Sequence, residues 1–149
     1  MEKMPRHVST RKVRTNAKTR TILRLSGLQP STPRVVIYEW LMAHPVHPTV
    51  DTLYCTLRPT MPSLSRTTVY NVLHALVEHQ LADKVCTEDL ELRYDGNTLP
   101  HAHFKCTQCG AVMDLEKLPA ELPGVQLPQG CKANKVAVTV WGLCPKCAK

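Results

Sequence analysis

Apolar positions follow helical spacing over the first half of the chain and strand spacing over the last third. In STPRVVIYEWLMAH, Ser31 or Thr32 can cap a helix and Pro33 suits its first position. Val36, Ile37, Trp40 and Leu41 then form one apolar face. A shorter helix is expected before it, from about Arg20 to Leu25, ended by Gly27. HPTVDTLYCTLRP predicts another, capped by Thr49, carrying Val50, Leu53, Tyr54 and Leu57 and stopped by Pro59. In LSRTTVYNVLHALVEHQ, Ser65 is the expected cap, and Val69, Val72, Leu73, Leu76 and Val77 fall on one buried stripe. LADKVCTEDLELRYD reads as two short strands around an acidic turn.

Helices followed by a hairpin give the order of a winged helix, in which the last helix enters the major groove of DNA. Its solvent side would present Ser65, Arg66, Thr67, Thr68, Tyr70 and Asn71, which can meet phosphates, base edges and thymine methyls. An ordinary helical domain with a polar surface fits the same pattern. From about residue 101 the character changes. HFKCTQCGAVMDL and KVAVTVWGLC are rich in strand formers, and the second alternates. Between them EKLPAELPGVQLPQG carries three prolines, which argue against a long helix. The fold class expected is α+β. An N-terminal winged-helix DNA-binding domain is expected over 20–95 and a small C-terminal α/β domain over 96–149, for which the resemblance given below implies dimerisation and metal binding. Residues 1–19 precede them as a flexible basic extension.

Charge sharpens this picture. The net charge of +7 is uneven: residues 1–34 hold nine Lys/Arg and only Glu2, whereas residues 35–149 hold ten Lys/Arg against eleven acids. A basic arm suits an anionic polymer, although a solvated tail looks the same. No stretch approaches the roughly 18 apolar residues of a membrane span, and no apolar run follows the basic N-terminus as in a secretory signal. A cytoplasmic protein is expected.

The cysteines bring chemistry. Of seven, four form two pairs, Cys106/Cys109 in CTQC and Cys144/Cys147 in CPKC, with 34 residues between them. Two such knuckles can place four thiolates around one tetrahedral zinc, a closed and therefore structural site. Redox-active or idle dithiols are the alternative. Cys55, Cys86 and Cys131 stand apart as core or surface thiols. His101 and His103 are a separate matter. On a strand, positions i and i+2 share a face, so both imidazoles can reach one ion, with Asp95 and Asp114 near in sequence. Imidazole with carboxylate suits Fe(II), Mn(II) or Zn(II). Spacing alone leaves two surface histidines an equal reading.

HPTVDTLY, SRTTVYNVLHAL, RYD, HAHFKCTQCG and CPKC occur in this order over roughly residues 20–147. In that ordered set the chain resembles the ferric uptake regulator family. The resemblance implies a homodimeric, metal-dependent transcription factor that binds a palindromic double-stranded operator. It implies a Zn(II) site at Cys106, Cys109, Cys144 and Cys147. It implies a regulatory Fe(II) or Mn(II) site at His47, Asp95, His101, His103 and Asp114. An ion gripping His47 on one side of the hinge and the other ligands at or beyond it would fix the angle between domains. Two details resemble the peroxide-sensing branch: Asp114 where iron sensors usually carry Glu, and TVYN where they commonly read TVYR. By that resemblance, Fe(II) and peroxide would oxidise His47 or His101 and release DNA, whereas Mn(II) would not respond. A plain metal-responsive regulator is the alternative. A metalloenzyme and a zinc-ribbon interaction module are the readings from other classes. Two features depart from the family pattern: the basic extension, and the proline-rich 116–130 stretch in place of a helix.

Overall fold

The computed structural model describes residues 17–85, 91–115 and 126–149. Four helices come first: α1 (Ala17–Leu25), α2 (Thr32–Ala43), α3 (Val50–Leu57) and α4 (Arg66–Glu78). Each expected cap is present. The Ser31 hydroxyl accepts from Arg34 N–H, that of Thr49 from Thr52 N–H, and that of Ser65 from Thr68 N–H. Each satisfies a backbone donor that the first helical turn leaves without an intrahelical partner.

Helix α1 starts at Ala17, three residues before the sequence placed it and inside the stretch assigned to the extension. Thr19 and Leu23, four residues apart, are buried together and tie that first turn to the core. A threonine gives no apolar signal, so periodicity missed it. Helix α2 buries more than one stripe: Val35, Val36, Ile37, Tyr38 and Leu41 are all covered, because α2 packs against both α1 and α4. The core continues through Leu53 and Leu57 of α3 and Val69, Val72, Leu73 and Leu76 of α4.

Strands β1 (Asp83–Val85) and β2 (Arg93–Asp95) pair antiparallel and form the wing. The expected acidic turn between them, with Cys86, lies outside the described residues, as do residues 1–16 of the extension and 116–125 of the proline-rich stretch. Tyr94 of β2 is buried in the helical core. The other edge of β2 meets the loop before α3: Tyr94 N–H donates to Pro48 C=O at 3.0 Å, and Thr49 bridges to Arg93. This third, minimal strand fixes His47 against the wing.

The C-terminal part is a three-stranded sheet in the order β4 (Val112–Leu115), β3 (Ala102–Cys106), β5 (Thr139–Gly142). β3 runs antiparallel to β4, with His103 opposite Asp114, and parallel to β5, with Cys106 opposite Gly142. β5 is shorter than the alternation over 135–144 predicts. Among the described residues it pairs with β3 alone, whose His103 N–H donates to Val138 C=O at 2.9 Å, and residues 135–137 lie beyond the ladder. Val136, Val140 and Trp141 are left exposed. Gly142 has a packing reason: a Cβ there would come within 3.0 Å of the Phe104 ring.

Candidate functional site

The five residues expected to form a regulatory site come from four places in the chain. His47 sits in the loop before α3 with φ 49, a left-handed backbone uncommon for a side-chain-bearing residue. The Tyr94–Pro48 bond holds it there, together with Arg93, whose Nη1 donates to His47 C=O at 3.3 Å. Asp95 ends β2. Its Oδ1 accepts from Asn97 N–H at 2.8 Å, which leaves Oδ2 facing the site. His101 precedes β3, and its Nδ1 donates to Leu99 C=O at 2.7 Å, so Nε2 carries the free lone pair. His103 on β3 and Asp114 on β4 are cross-strand partners and share a face.

All five meet at one point. One donor atom from each lies within 4.8 Å of the others. His47 Nε2 is 2.6 Å from Asp114 Oδ1, His101 Nε2 is 2.8 Å from Asp95 Oδ2, and His101 Nε2 is 3.0 Å from His103 Nε2. Donors about 2.1 Å from one ion stand roughly 3.0–3.4 Å apart, so the spacing fits a coordination sphere. The orientations fit it too. His47 Nε2 and Asp114 Oδ1 are buried and close, yet neither makes an aligned hydrogen bond. Both aim at a common centre rather than at each other.

Charge in the cluster is correspondingly tense. Burial pulls the His47 pKa down, but the Asp95 and Asp114 carboxylates outweigh it and leave the imidazole more basic than usual. Burial pushes Asp95 up, yet the close imidazoles of His103 and His47 and the hydrogen bond from Asn97 N–H hold it well below the ordinary carboxylate range. Both carboxylates therefore face three imidazoles in a pocket where His47 is 1% and Asp95 3% exposed. A divalent cation would replace the shared protons there.

The four paired cysteines gather at the other end of β3. Their sulfurs lie within 4.8 Å of one another, and Cys109 Sγ is 3.7 Å from Cys144 Sγ. Four sulfurs about 2.3 Å from a tetrahedral ion stand about 3.8 Å apart. Each pair turns tightly: Gly110 N–H donates to Cys106 C=O, and Cys147 and Ala148 N–H to Cys144 C=O. Gly110, at φ 71, takes the left-handed position the first knuckle needs. Backbone N–H groups of Cys109 and Cys144 aimed at Cys106 lower its thiol to about 6. The neighbouring thiols raise Cys147 to about 12. Cys55 and Cys131 lie apart and exposed.

The helix expected to read DNA is α4. Thr67, Tyr70 and Asn71 are exposed along it. Ser65 and Thr68 are less available, because their hydroxyls, 2.8 Å apart, are engaged with each other and with the cap. Arg66 is paired with Asp51 of α3 and lies over the Tyr54 ring at 4.3 Å. Sequence reasoning passed over Arg93, Asn97 and the Leu99 carbonyl, which orient the donors. The available signal was period two in RYD, which sets Arg93 and Asp95 on the same side of β2.

A family model described as the ferric uptake regulator family matches residues 25–140. The chain belongs to this family. The transcriptional regulator FurA of Mycobacterium tuberculosis is 33% identical over 129 residues, covering 85% of this chain and 87% of that protein. The peroxide operon regulator of Bacillus subtilis is 30% identical over 135 residues, covering 85% and 89%. Among solved structures, the ferric uptake regulator of Francisella tularensis with iron aligns with a TM-score of 0.65 at 18% identity, covering 83% of this chain and 96% of that one. The fold is thus that of the ferric uptake regulators, α+β with a winged helix ahead of a small sheet, and the curated relatives are transcriptional regulators. Among the described residues no helix is long and apolar enough to cross a membrane.

Proposed function

We propose that this ferric uptake regulator family member is a metal-dependent, DNA-binding transcriptional repressor that senses peroxide. One observation carries the reading: five metal-type donors from the helical part, the wing and the sheet converge on one point. Cys106, Cys109, Cys144 and Cys147 would hold a structural Zn(II). His47, Asp95, His101, His103 and Asp114 would hold a regulatory Fe(II) or Mn(II). With five protein donors, little room remains for a substrate, which favours a sensor over an enzyme.

Residues 20–95 then act as the DNA-binding unit and 96–149 as the dimerisation and metal-binding unit. Exposed Val136, Val140 and Trp141 on and beside edge strand β5 support a homodimer, since such an edge is otherwise a liability. In a dimer the two α4 helices would meet half-sites of a palindromic duplex about one helical turn apart. His47 couples the parts. When it is drawn onto the cluster, the loop before α3 is fixed against Asp95 and Asp114, and the helices are held at one angle to the sheet. Metal favours DNA binding only by its higher affinity for that arrangement.

The peroxide assignment is supported by aspartate at 114 and by the match to the Bacillus subtilis peroxide operon regulator. Fe(II) would supply the one-electron chemistry that activates peroxide. His47 and His101 are the side chains placed to take the oxygen. A ring C–H bond of the imidazole breaks as one peroxide oxygen bonds to that carbon, the O–O bond breaks, and the other oxygen leaves as water with the displaced hydrogen. An oxidised ring is a poor ligand, and the DNA-competent arrangement would be released. Membership of the ferric uptake regulator family as a whole supports a plain metal-responsive regulator as the second reading. Peptide mass spectrometry separates the two after loading with Fe(II) or Mn(II) and adding peroxide. One added oxygen on His47 or His101, only with Fe(II), is the expected result. Unmodified histidines at an occupied site would establish the second reading.

A further inference from the structure

A small open groove lies between the end of α3 and the start of α4, lined by Tyr54, Cys55, Arg58, Pro59, Pro62 and Arg66. Its floor is the Tyr54 ring, half-buried on the helical core. Two guanidinium groups attend that one ring, Arg66 at 4.3 Å and Arg58 at 5.5 Å from its centroid. Each attraction to the ring face is worth only about 0.5–1 kcal/mol at an exposed site. The two cations are not balanced. Asp51 pairs with Arg66. Among the described residues no carboxylate pairs with Arg58. The first turn of α4, which contains Arg66 and no acidic residue, adds the positive end of its dipole. Pro59 and Pro62 restrict the connecting loop on either side, so the groove is pre-shaped.

We infer that this groove is a phosphodiester clamp in which Arg58 neutralises a DNA backbone phosphate beside the groove read by α4. The inference deepens the DNA-binding reading above and rests on it. Placement decides for phosphate rather than a base edge: in a helix-turn-helix unit the first helix crosses the sugar–phosphate backbone while the second enters the groove. Tyr54 pre-orients the Arg58 guanidinium, and the Asp51–Arg66 pair keeps the second cation from swinging into the same space. Arg58 is a positioning contact for the duplex and carries no sequence information.

The test uses full-length Mn(II)-loaded protein and a mixed-sequence 30-base-pair duplex, with affinity measured by fluorescence anisotropy over a series of salt concentrations. Each phosphate contact contributes about 0.9 to the slope of log K against log salt. Arg58→Gln is expected to flatten the slope by about 0.9 per subunit, and Arg58→Lys to restore it, since an ammonium also neutralises phosphate. Arg58 is exposed at the end of α3, and circular dichroism should show both variants folded. An unchanged slope for Arg58→Gln, with the parent binding DNA in a metal-dependent way, overturns the clamp and leaves the repressor reading standing. A Lys variant as flat as the Gln variant overturns it as well, because charge would not be the cause. A loaded parent that binds no DNA overturns both readings together.

Discussion

Replacing Arg93 by Met should weaken regulatory metal binding without touching a ligand. Arg93 donates to His47 C=O at 3.3 Å, and His47 is held at φ 49. A hydrogen bond from a charged donor contributes about 1.5–3 kcal/mol, and the long distance argues for the lower end. The left-handed backbone costs about 1–2 kcal/mol relative to the right-handed form, so the two nearly balance. Without the Arg93 side chain, the backbone contacts of Tyr94 with Pro48 and of Thr49 with residue 93 still restrain the loop, but nothing from the guanidinium holds the His47 carbonyl. His47 can then relax away from Asp114, and the ion must supply the energy that draws it back. A deficit of about 1.4 kcal/mol is a tenfold loss of affinity. That lies within the 10–100-fold range usual for residues that orient ligands. The assay is Mn(II) titration against a chelator of known affinity, alongside thermal unfolding of the metal-free chain. A folded Arg93→Met protein that binds Mn(II) within twofold of the parent would refute the reasoning, because His47 would then need no restraint from the wing.

Three further outcomes are expected. Gly96→Ala would put a Cβ 3.1 Å from the Leu41 carbonyl carbon and oxygen and 3.2 Å from Met42 Sδ, so the loop after Asp95 must move off α2. About 1–3 kcal/mol of overpacking should lower the thermal midpoint and the Mn(II) affinity together, whereas an unchanged midpoint would mean the backbone gives way freely. Acid should weaken metal binding. The raised His47 pKa means its proton stabilises the metal-free fold fully below about pH 6.5, an advantage lost as pH rises through the folded value, whereas the depressed Asp95 contributes above about pH 3.9 and is lost as pH falls. The rise in melting temperature given by Mn(II) should therefore grow from about pH 6 to pH 8, and a flat or inverted trend would count against His47 as a ligand. Cys109→Ser should release the zinc, measured by elemental analysis, and cost the sheet its strand signal in circular dichroism; retention of a full equivalent would mean that three thiolates suffice.

Much of this architecture is legible in the sequence because its signals are local. Ser31, Thr49 and Ser65 announce their helices by chemistry within three residues, and the two CxxC knuckles declare themselves by spacing. His101 and His103 are visible as a pair for the same reason, whereas their union with His47 was legible only through resemblance. What stayed hidden depends on pairing across distance. The Thr49–Arg93 bridge joins residues far apart, and no periodicity reports it. The short β5 reflects the length of β3, its partner among the described residues, rather than its own alternation. Ser65, Arg66 and Thr68 look free on a helical wheel, yet cap geometry and Asp51 of another helix engage them.

The hairpin of β3 and β4 carries His103 opposite Asp114, and its turn is the Cys106–Cys109 knuckle. Side chains alternate along a strand, so a slip of one residue at that turn would send Asp114 to the far side of the sheet. The sulfur site thus sets the register on which the other site depends. Under the proposed function, loading would then follow an order, zinc first and the second ion after it. On that reading, a chain made under zinc starvation would therefore fail to load its His/Asp site as well, however much of the second metal were present.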